Sequence, residues 1–295
     1  MSEKILVVGG TGMLGWPVAM ALAKEDFDVR LMTRNPDNVK RKIGWKIKVV
    51  EGDVTVPESL KEPLDGCRSV YINLGARMNI GDFEVIEHKG TVNIAGEAVK
   101  AGVERIGMIS VLNAGQATGK NAYIDAKTKA EKVLMDCGIG YTIFRCCWFF
   151  ESLPKYIVSG RAMIFGRQPH KLSWMAASDY ANMVVKAYRS DEAVNRVFHI
   201  RGIEKYTLDE ALEILGEVVF PGLKVGHTPM WLLRAVGAVS RNKTARGMAH
   251  FSRFYDCNPE TVREDNSEQI LGPALTTLRD WAEEYKKKAD SRAAI

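Results

Sequence analysis

Apolar positions in the first half of the chain follow two alternating rhythms. Short β-branched runs at 4–8 (KILVV), 28–33 (DVRLMT), 46–50 (KIKVV), 68–74 (RSVYINL), 104–110 (ERIGMIS) and 140–145 (GYTIFR) have apolar residues on both faces and read as buried strands. Between them the apolar positions recur at helical spacing, predicting helices near 13–24, 57–62, 82–101 and 121–136. Strand and helix in turn predict an α/β fold, with a doubly wound parallel sheet covered on both sides.

Past about residue 146 the rhythm changes. An aromatic cluster, CCWFFESLPKYIV, is followed by a helix near 178–189 with Ser178 as candidate N-cap, and then by a strand at 196–200. Helical pieces follow at 207–218, 228–239, 244–256 and 274–288. With no Gly/Ser/Pro linker and no repeat, the pattern predicts a sheet domain over 1–147. A smaller, mainly helical lobe over 148–295 packs on it, and the 196–200 strand rejoins the sheet.

Composition narrows the class. The 295 residues are 46% hydrophobic and 26% charged, ordinary globular values, and the net charge of +5 is spread along the chain. That argues against nucleic-acid binding and leaves an anionic ligand open. Five cysteines without a Cys-x-x-Cys pair point to buried thiols in a reducing cytoplasm rather than to disulfides or zinc. The five histidines lack metal spacing, so no metal is expected. The first apolar run, Ile5 to Val8, is too short for a signal peptide, and charge interrupts the later ones, so no membrane span is expected.

The strongest chemical signal is ILVVGGTGMLG, in which Gly9, Gly12 and Gly15 join a buried strand to a helix. Gly9 permits the tight turn, Gly12 the approach of a pyrophosphate, and Gly15 close helix–strand packing, as in a Rossmann dinucleotide site. At the end of the second strand stands Thr33-Arg34-Asn35, with no carboxylate before Asp37. Arg34 can fork onto a 2′-phosphate, which favours NADP(H), or stack on adenine, which leaves NAD(H) usable. Asp53 and Val54, after the third strand, can meet the adenine; Asp53 can equally cap the next helix or close a turn.

NAYIDAKTKAE then places Tyr123 four residues before Lys127, on one helix face after the fifth strand. A phenol titrates near pH ~10, and a neighbouring ammonium is expected to lower that value toward a useful range. Asp125, Lys129 and Glu131 read as a solvated face.

GGTGMLG, TRNP, EGDVTVPESL, GTVNIAGEAVKAGVERIGMIS and YIDAKTKAEKVLMDCGIGYTIFR together resemble the atypical and extended short-chain dehydrogenase/reductases, nearest the NmrA-like and isoflavone-reductase-like branch. The resemblance runs more loosely through most of the remaining chain. It implies a nicotinamide cofactor across the carboxyl ends of the strands. Gly9, Thr11, Gly12, Met13 and Leu14 would hold the pyrophosphate, Arg34 the 2′-phosphate, and Asp53 with Val54 the adenine. Leu74, Gly75 and Ala76 would line the middle of the cofactor. It further implies Tyr123 as proton donor and Lys127 at the nicotinamide ribose.

Two places depart from the family pattern. Ser110 lies at the end of the fifth strand, before Val111 and Leu112, where relatives carry their carbonyl-binding Ser or Thr one or two residues later. Ser110 fills that catalytic role, supports the nicotinamide, or is a core hydroxyl; Asn113 is a substitute. The usual Arg-Pro is replaced by Arg145-Cys146-Cys147, read either as redox-active or as small apolar packing. Trp148, Phe149, Phe150, Tyr156, Phe165 and Trp174 form either an aromatic pocket wall, covered by the 228–239 helix, or plain lobe core. The expectation is an NADPH-dependent reductase of a small hydrophobic carbonyl or enone, able to form homo-oligomers. The alternative is a non-catalytic NADP(H)-binding redox sensor or assembly subunit.

Overall fold

The structure is a computed structural model that describes residues 2–40, 47–75, 79–116, 119, 121–239, 243–261 and 263–293. Its first six strands are β1 (Lys4–Val8), β2 (Asp28–Thr33), β3 (Lys48–Glu51), β4 (Ser69–Ile72), β5 (Arg105–Val111) and β6 (Gly140–Cys146). Short lobe strands follow: β7 (Trp148–Phe149), β8 (Ile157–Val158), β9 (Arg161–Phe165) and β10 (Leu172–Met175). The last three are β11 (Arg196–Ile200), β12 (Glu204–Tyr206) and β13 (Lys224–Thr228). The main sheet runs β3-β2-β1-β4-β5-β6-β11, with every pairing parallel. The doubly wound α/β (Rossmann) expectation holds, and β11 rejoins the sheet in register beside β6, Phe198 opposite Phe144.

Alternation along β1 shows why both faces are apolar. Ile5 and Val7 point into the core shared with α1 (Gly15–Lys24), while Leu6 and Val8 point to the opposite side. On that opposite side Ile94 and Ala98 of α4 (Gly90–Lys100) and Ala130 and Leu134 of α5 (Ala122–Asp136) close the layer. The two remaining short helices of this half are α2 (Pro36–Lys40) and α3 (Lys61–Leu64). α4 does not begin as an α-helix. A seven-residue π-helical segment, Phe83–Lys89, leads into it. The wider turn changes which side chains face inward, and such segments concentrate at functional sites.

The remaining helices are α6 (Ala177–Tyr188), α7 (Leu208–Val218), α8 (Met230–Val239), α9 (Lys243–Cys257), α10 (Ser267–Leu271) and α11 (Leu278–Ala293). α6 covers the sheet beside α1 and meets α10, which lies against β11, while α7, α8, α9 and α11 gather with two three-stranded sheets, β12-β10-β7 and β13-β9-β8. Those small sheets were not anticipated from the sequence; their strands run from two to five residues. Ser178 is not the N-cap of α6. The helix begins one residue earlier, and the Glu151 carboxylate accepts the Ala177 N–H at 3.0 Å, doing the capping from across the fold. The same Glu151 oxygen accepts the Trp281 indole N–H at 2.9 Å, which ties α11 to α6. Among the described residues no helix is long and apolar enough to cross a membrane.

Candidate cofactor cradle and active site

β1 lies between β2 and β4, so the chain leaves it in opposite directions, and the crevice there is where a doubly wound sheet binds its ligand. Gly9 sits in the crevice with φ +72°, and a Cβ on it would lie 2.0 Å from the Asn73 carbonyl oxygen. A Cβ on Gly15 would lie 2.3 Å from the Gly9 oxygen, so both glycines are fixed by the close approach of strand and helix. Gly12 differs: only the Gly9 oxygen comes near its missing Cβ, and its outer side is open. The first turn of α1 carries no side-chain cap and no acidic residue, so its N–H groups face outward unclaimed by carboxylates. Thr11 is exposed, and Met13 and Leu14 are half-buried around this opening. The cradle fits a pyrophosphate.

Arg34 is exposed beyond β2, and Asp53 lies near it at the end of β3. Burial works against the Asp53 charge. It is outweighed by the Thr55 N–H and hydroxyl, both 2.8 Å from one carboxylate oxygen, and by the Arg34 guanidinium, so the carboxyl is held below its ordinary range. Asp53 thus closes a turn, one of the roles its position allows. Val54 is buried, packing beneath Gly90 and beside Leu74. Gly75 is exposed with open space around its Cα, and Ala76 lies outside the described residues.

α5 starts where Asn121 accepts the N–H groups of Tyr123 and Ile124 at 3.0 and 3.3 Å. Tyr123 and Lys127 then project from successive turns toward the carboxyl ends of β4 and β5. Lys127 Nζ donates to the Ile109 carbonyl at 3.1 Å and lies 3.5 Å from the Leu74 carbonyl. Its charge is met by Glu87 at 2.9 Å, with the two side chains only 2% and 1% exposed. Glu87 comes from the π-helical segment, as does Phe83, whose ring packs against Tyr123 at a tilt of 56° with centroids 5.4 Å apart.

This pair alters the expected electrostatics. Lys127 Nζ is 6.0 Å from the centre of the Tyr123 ring, but its charge is already neutralised. Burial, then the Glu87 carboxylate and Cys146, push the Tyr123 phenol well above its ordinary value. The expected lowering by Lys127 is therefore not what the geometry produces. Glu87 was missed in the sequence. The signal was its position four residues after Phe83, on the apolar stripe that continues to Thr91, Ile94 and Ala98.

Glu131 also departs from expectation. It is buried rather than solvated, because it lies four residues after Lys127 on the same inward stripe. Glu131 accepts the Ser110 hydroxyl and a bidentate fork from Arg145, with Nη2 at 2.6 Å and Nε at 3.0 Å. Arg145 Nη1 is 3.4 Å from His199 Nε2, and His199 Nδ1 is 3.0 Å from Asp265. Ser110 is thus joined to a buried polar chain running under β6 and β11. Asp125 and Lys129 do remain toward the surface, bonded to Gly119 N–H and Glu84 respectively.

The aromatic cluster divides. Phe149, Phe150 and Trp174 are buried core. Trp148, Tyr156 and Phe165 line a narrow cleft with Gln168, Leu208, Phe251 and Tyr255. Phe251 lies 5.9 Å from Tyr123 and 5.5 Å from Trp148, so α9 brings an aromatic cover over the phenol. Cys146 and Cys147 are buried, and burial raises both thiols well above their ordinary values. Neutral thiols of this kind fit the packing alternative.

These features define a dinucleotide-binding protein, and the comparisons agree. A family described as NAD(P)H-binding matches residues 9–191, and the chain belongs to that family. A photosystem II assembly factor of Cyanophora paradoxa is 27% identical over 236 residues, covering 78% of this chain and 73% of that protein. The corresponding factor of Synechocystis sp. is 23% identical over 289 residues, covering 96% and 85%. Among solved structures, an NADPH-dependent quinone oxidoreductase of Escherichia coli complexed with NADPH superposes with a TM-score of 0.73 at 20% identity, covering 95% of this chain and 99% of that one. Triphenylmethane reductase of Citrobacter sp. complexed with NADP(H) gives 0.74 at 20% identity, covering 96% and 99%. The resemblance to atypical short-chain dehydrogenase/reductases is borne out in fold and in NAD(P)H binding.

Proposed function

We propose that the chain is an NADPH-dependent oxidoreductase acting on a small hydrophobic or aromatic carbonyl or enone. The observation that carries this reading is the meeting of Tyr123 and Lys127 at the carboxyl ends of β4 and β5, beneath an aromatic cleft. The cofactor supplies hydride when bound. Tyr123 donates its phenolic proton to the substrate oxygen, and Lys127, held by Glu87 and the Ile109 carbonyl, fixes the ribose end. Trp148, Tyr156 and Phe251 pack closely enough to keep water from the apolar side of the phenol. Ser110 supports the site through Glu131. Arg34 forks onto the 2′-phosphate, favouring NADPH over NADH.

The test is NADPH oxidation across a panel of aldehydes, ketones, enones and quinones. Turnover that drops at least about a hundredfold in Tyr123→Phe is expected from loss of a general acid; equal rates in both proteins would sink the proton role. The rival reading, a non-catalytic NADP(H)-binding assembly subunit, is favoured by the photosystem II assembly factors among the relatives and by the engagement of Ser110 with Glu131. It predicts NADPH-dependent thermal stabilisation with no turnover on any member of the panel.

A further inference from the structure

Glu87 enters the roles just assigned only as the partner that holds Lys127, yet it is a carboxylate with almost no access to water. A carboxylate buried there needs a partner to offset the cost of leaving water. Lys127 Nζ at 2.9 Å is that partner, and the Ile109 carbonyl at 3.1 Å takes a second ammonium proton. Phe83 and Glu87, four residues apart on the π-helical segment, both meet α5.

The charged and titratable groups around the Tyr123 phenol come from every side. Lys127 stands on its own helix, Glu87 on the π-helical segment, Cys146 at the end of β6, and Tyr255 on α9. With both thiol and second phenol neutral, the charge beside Tyr123 sums to zero rather than to the single positive charge that a lone lysine would supply.

We propose that Glu87 is a positioning residue that holds the Lys127 ammonium and, by cancelling its charge, keeps Tyr123 a neutral proton donor through the alkaline range. The proposal rests on the reductase reading for its catalytic meaning. In that reaction the hydride added to the carbonyl carbon as the C=O π bond breaks would come from bound NADPH, which would leave as NADP+. The Tyr123 proton passes to the oxygen, and the resulting phenolate regains a proton from water. Glu87 gains and loses nothing; it fixes the charge against which the phenol titrates. Its effect agrees with the direction in which burial and Glu87 drive that phenol.

The experiment reads the phenol directly and needs no turnover. The apo protein with 13C-labelled tyrosine ring carbons is titrated by NMR, and Tyr123→Phe identifies the resonance. In wild type the Tyr123 signal is expected to stay at its protonated position past pH ~10, where an ordinary tyrosine titrates. Glu87→Gln is expected to lower its midpoint by about one pH unit or more, because the ammonium is then uncompensated. Glu87→Asp, which keeps the charge, is expected to restore the wild-type curve. An ordinary wild-type midpoint, or an unchanged midpoint in Glu87→Gln, overturns the proposal. If Glu87→Gln does not fold, the double variant Glu87→Leu/Lys127→Met is read instead: a wild-type midpoint is expected because the pair contributes no net charge, and a midpoint displaced by about a unit or more overturns the proposal. Should no substrate emerge from the panel, the reductase reading fails while the titration result stands on its own. Where turnover is found, the alkaline limb of kcat should move to lower pH in Glu87→Gln, with KM little changed.

Discussion

Lys127 carries a charge where water scarcely reaches, and Glu87 makes that position tolerable. Truncating one member of such a pair strands the other, typically at about 3–5 kcal/mol, whereas replacing both by apolar residues of similar volume is far milder. Urea denaturation should therefore show Glu87→Ala to be much less stable than the double variant Glu87→Leu/Lys127→Met. Gly9 is constrained differently: a methyl there meets the Asn73 carbonyl, at a φ that L-residues rarely adopt. Gly9→Ala is expected to lower Tm and to abolish the thermal shift with NADPH. Tyr123, Lys127 and the three glycines were legible in the sequence because fixed spacing and flanking elements announced them. Glu87 and Glu131 were not, since a carboxylate in a charged helix reads as solvated until its stripe is traced through neighbouring apolar positions.

Elements were easier to read where their period had room to repeat. All seven strands of the main sheet and the long helices were visible, with ends shifted by a residue or two except in α11, expected at 274–288 and observed at Leu278–Ala293. The π-helical register of Phe83–Lys89 was invisible, because it differs from an α-helix by one residue per turn and leaves the apolar spacing ambiguous. Phe251 went unnoticed for a related reason. α8 and α9 are both amphipathic, and only the fold decides that Phe251 meets Tyr123 and Trp148. Phe251→Ala should open that face. The expected loss is less than the roughly 3–5 kcal/mol of a fully buried Phe→Ala, because the ring is half-exposed. Trp fluorescence should show greater quencher access, and bulkier substrates should gain in kcat/KM relative to small ones.

At the scale of the whole molecule, the chain Ser110–Glu131–Arg145–His199–Asp265 links α5, the sheet and the segment before α10. Burial opposes the Asp265 charge, but N–H groups of His199 and Ser267 and their side chains outweigh it and hold the carboxyl low. A depressed carboxyl contributes stability above its unfolded pKa of about 3.9, and that contribution is lost as pH falls through the lower folded value. Melting curves between about pH 6 and 3 should show wild type losing more Tm than Asp265→Asn.

The return of β11 to the sheet also sets an order in time. On the ribosome, β6 emerges with one side unpaired, and its neighbour is synthesised only fifty residues after the β6 strand ends, at Arg196 to Ile200. The nascent sheet must carry an open, apolar edge through the synthesis of the intervening lobe segment. A fragment ending at Cys147 would keep that edge permanently and is expected to aggregate, while one extended past Ile200 should stay dispersed longer in a light-scattering assay. Completion of this sheet is therefore a late event, and the chain is most exposed to misassembly while its lobe is still being made.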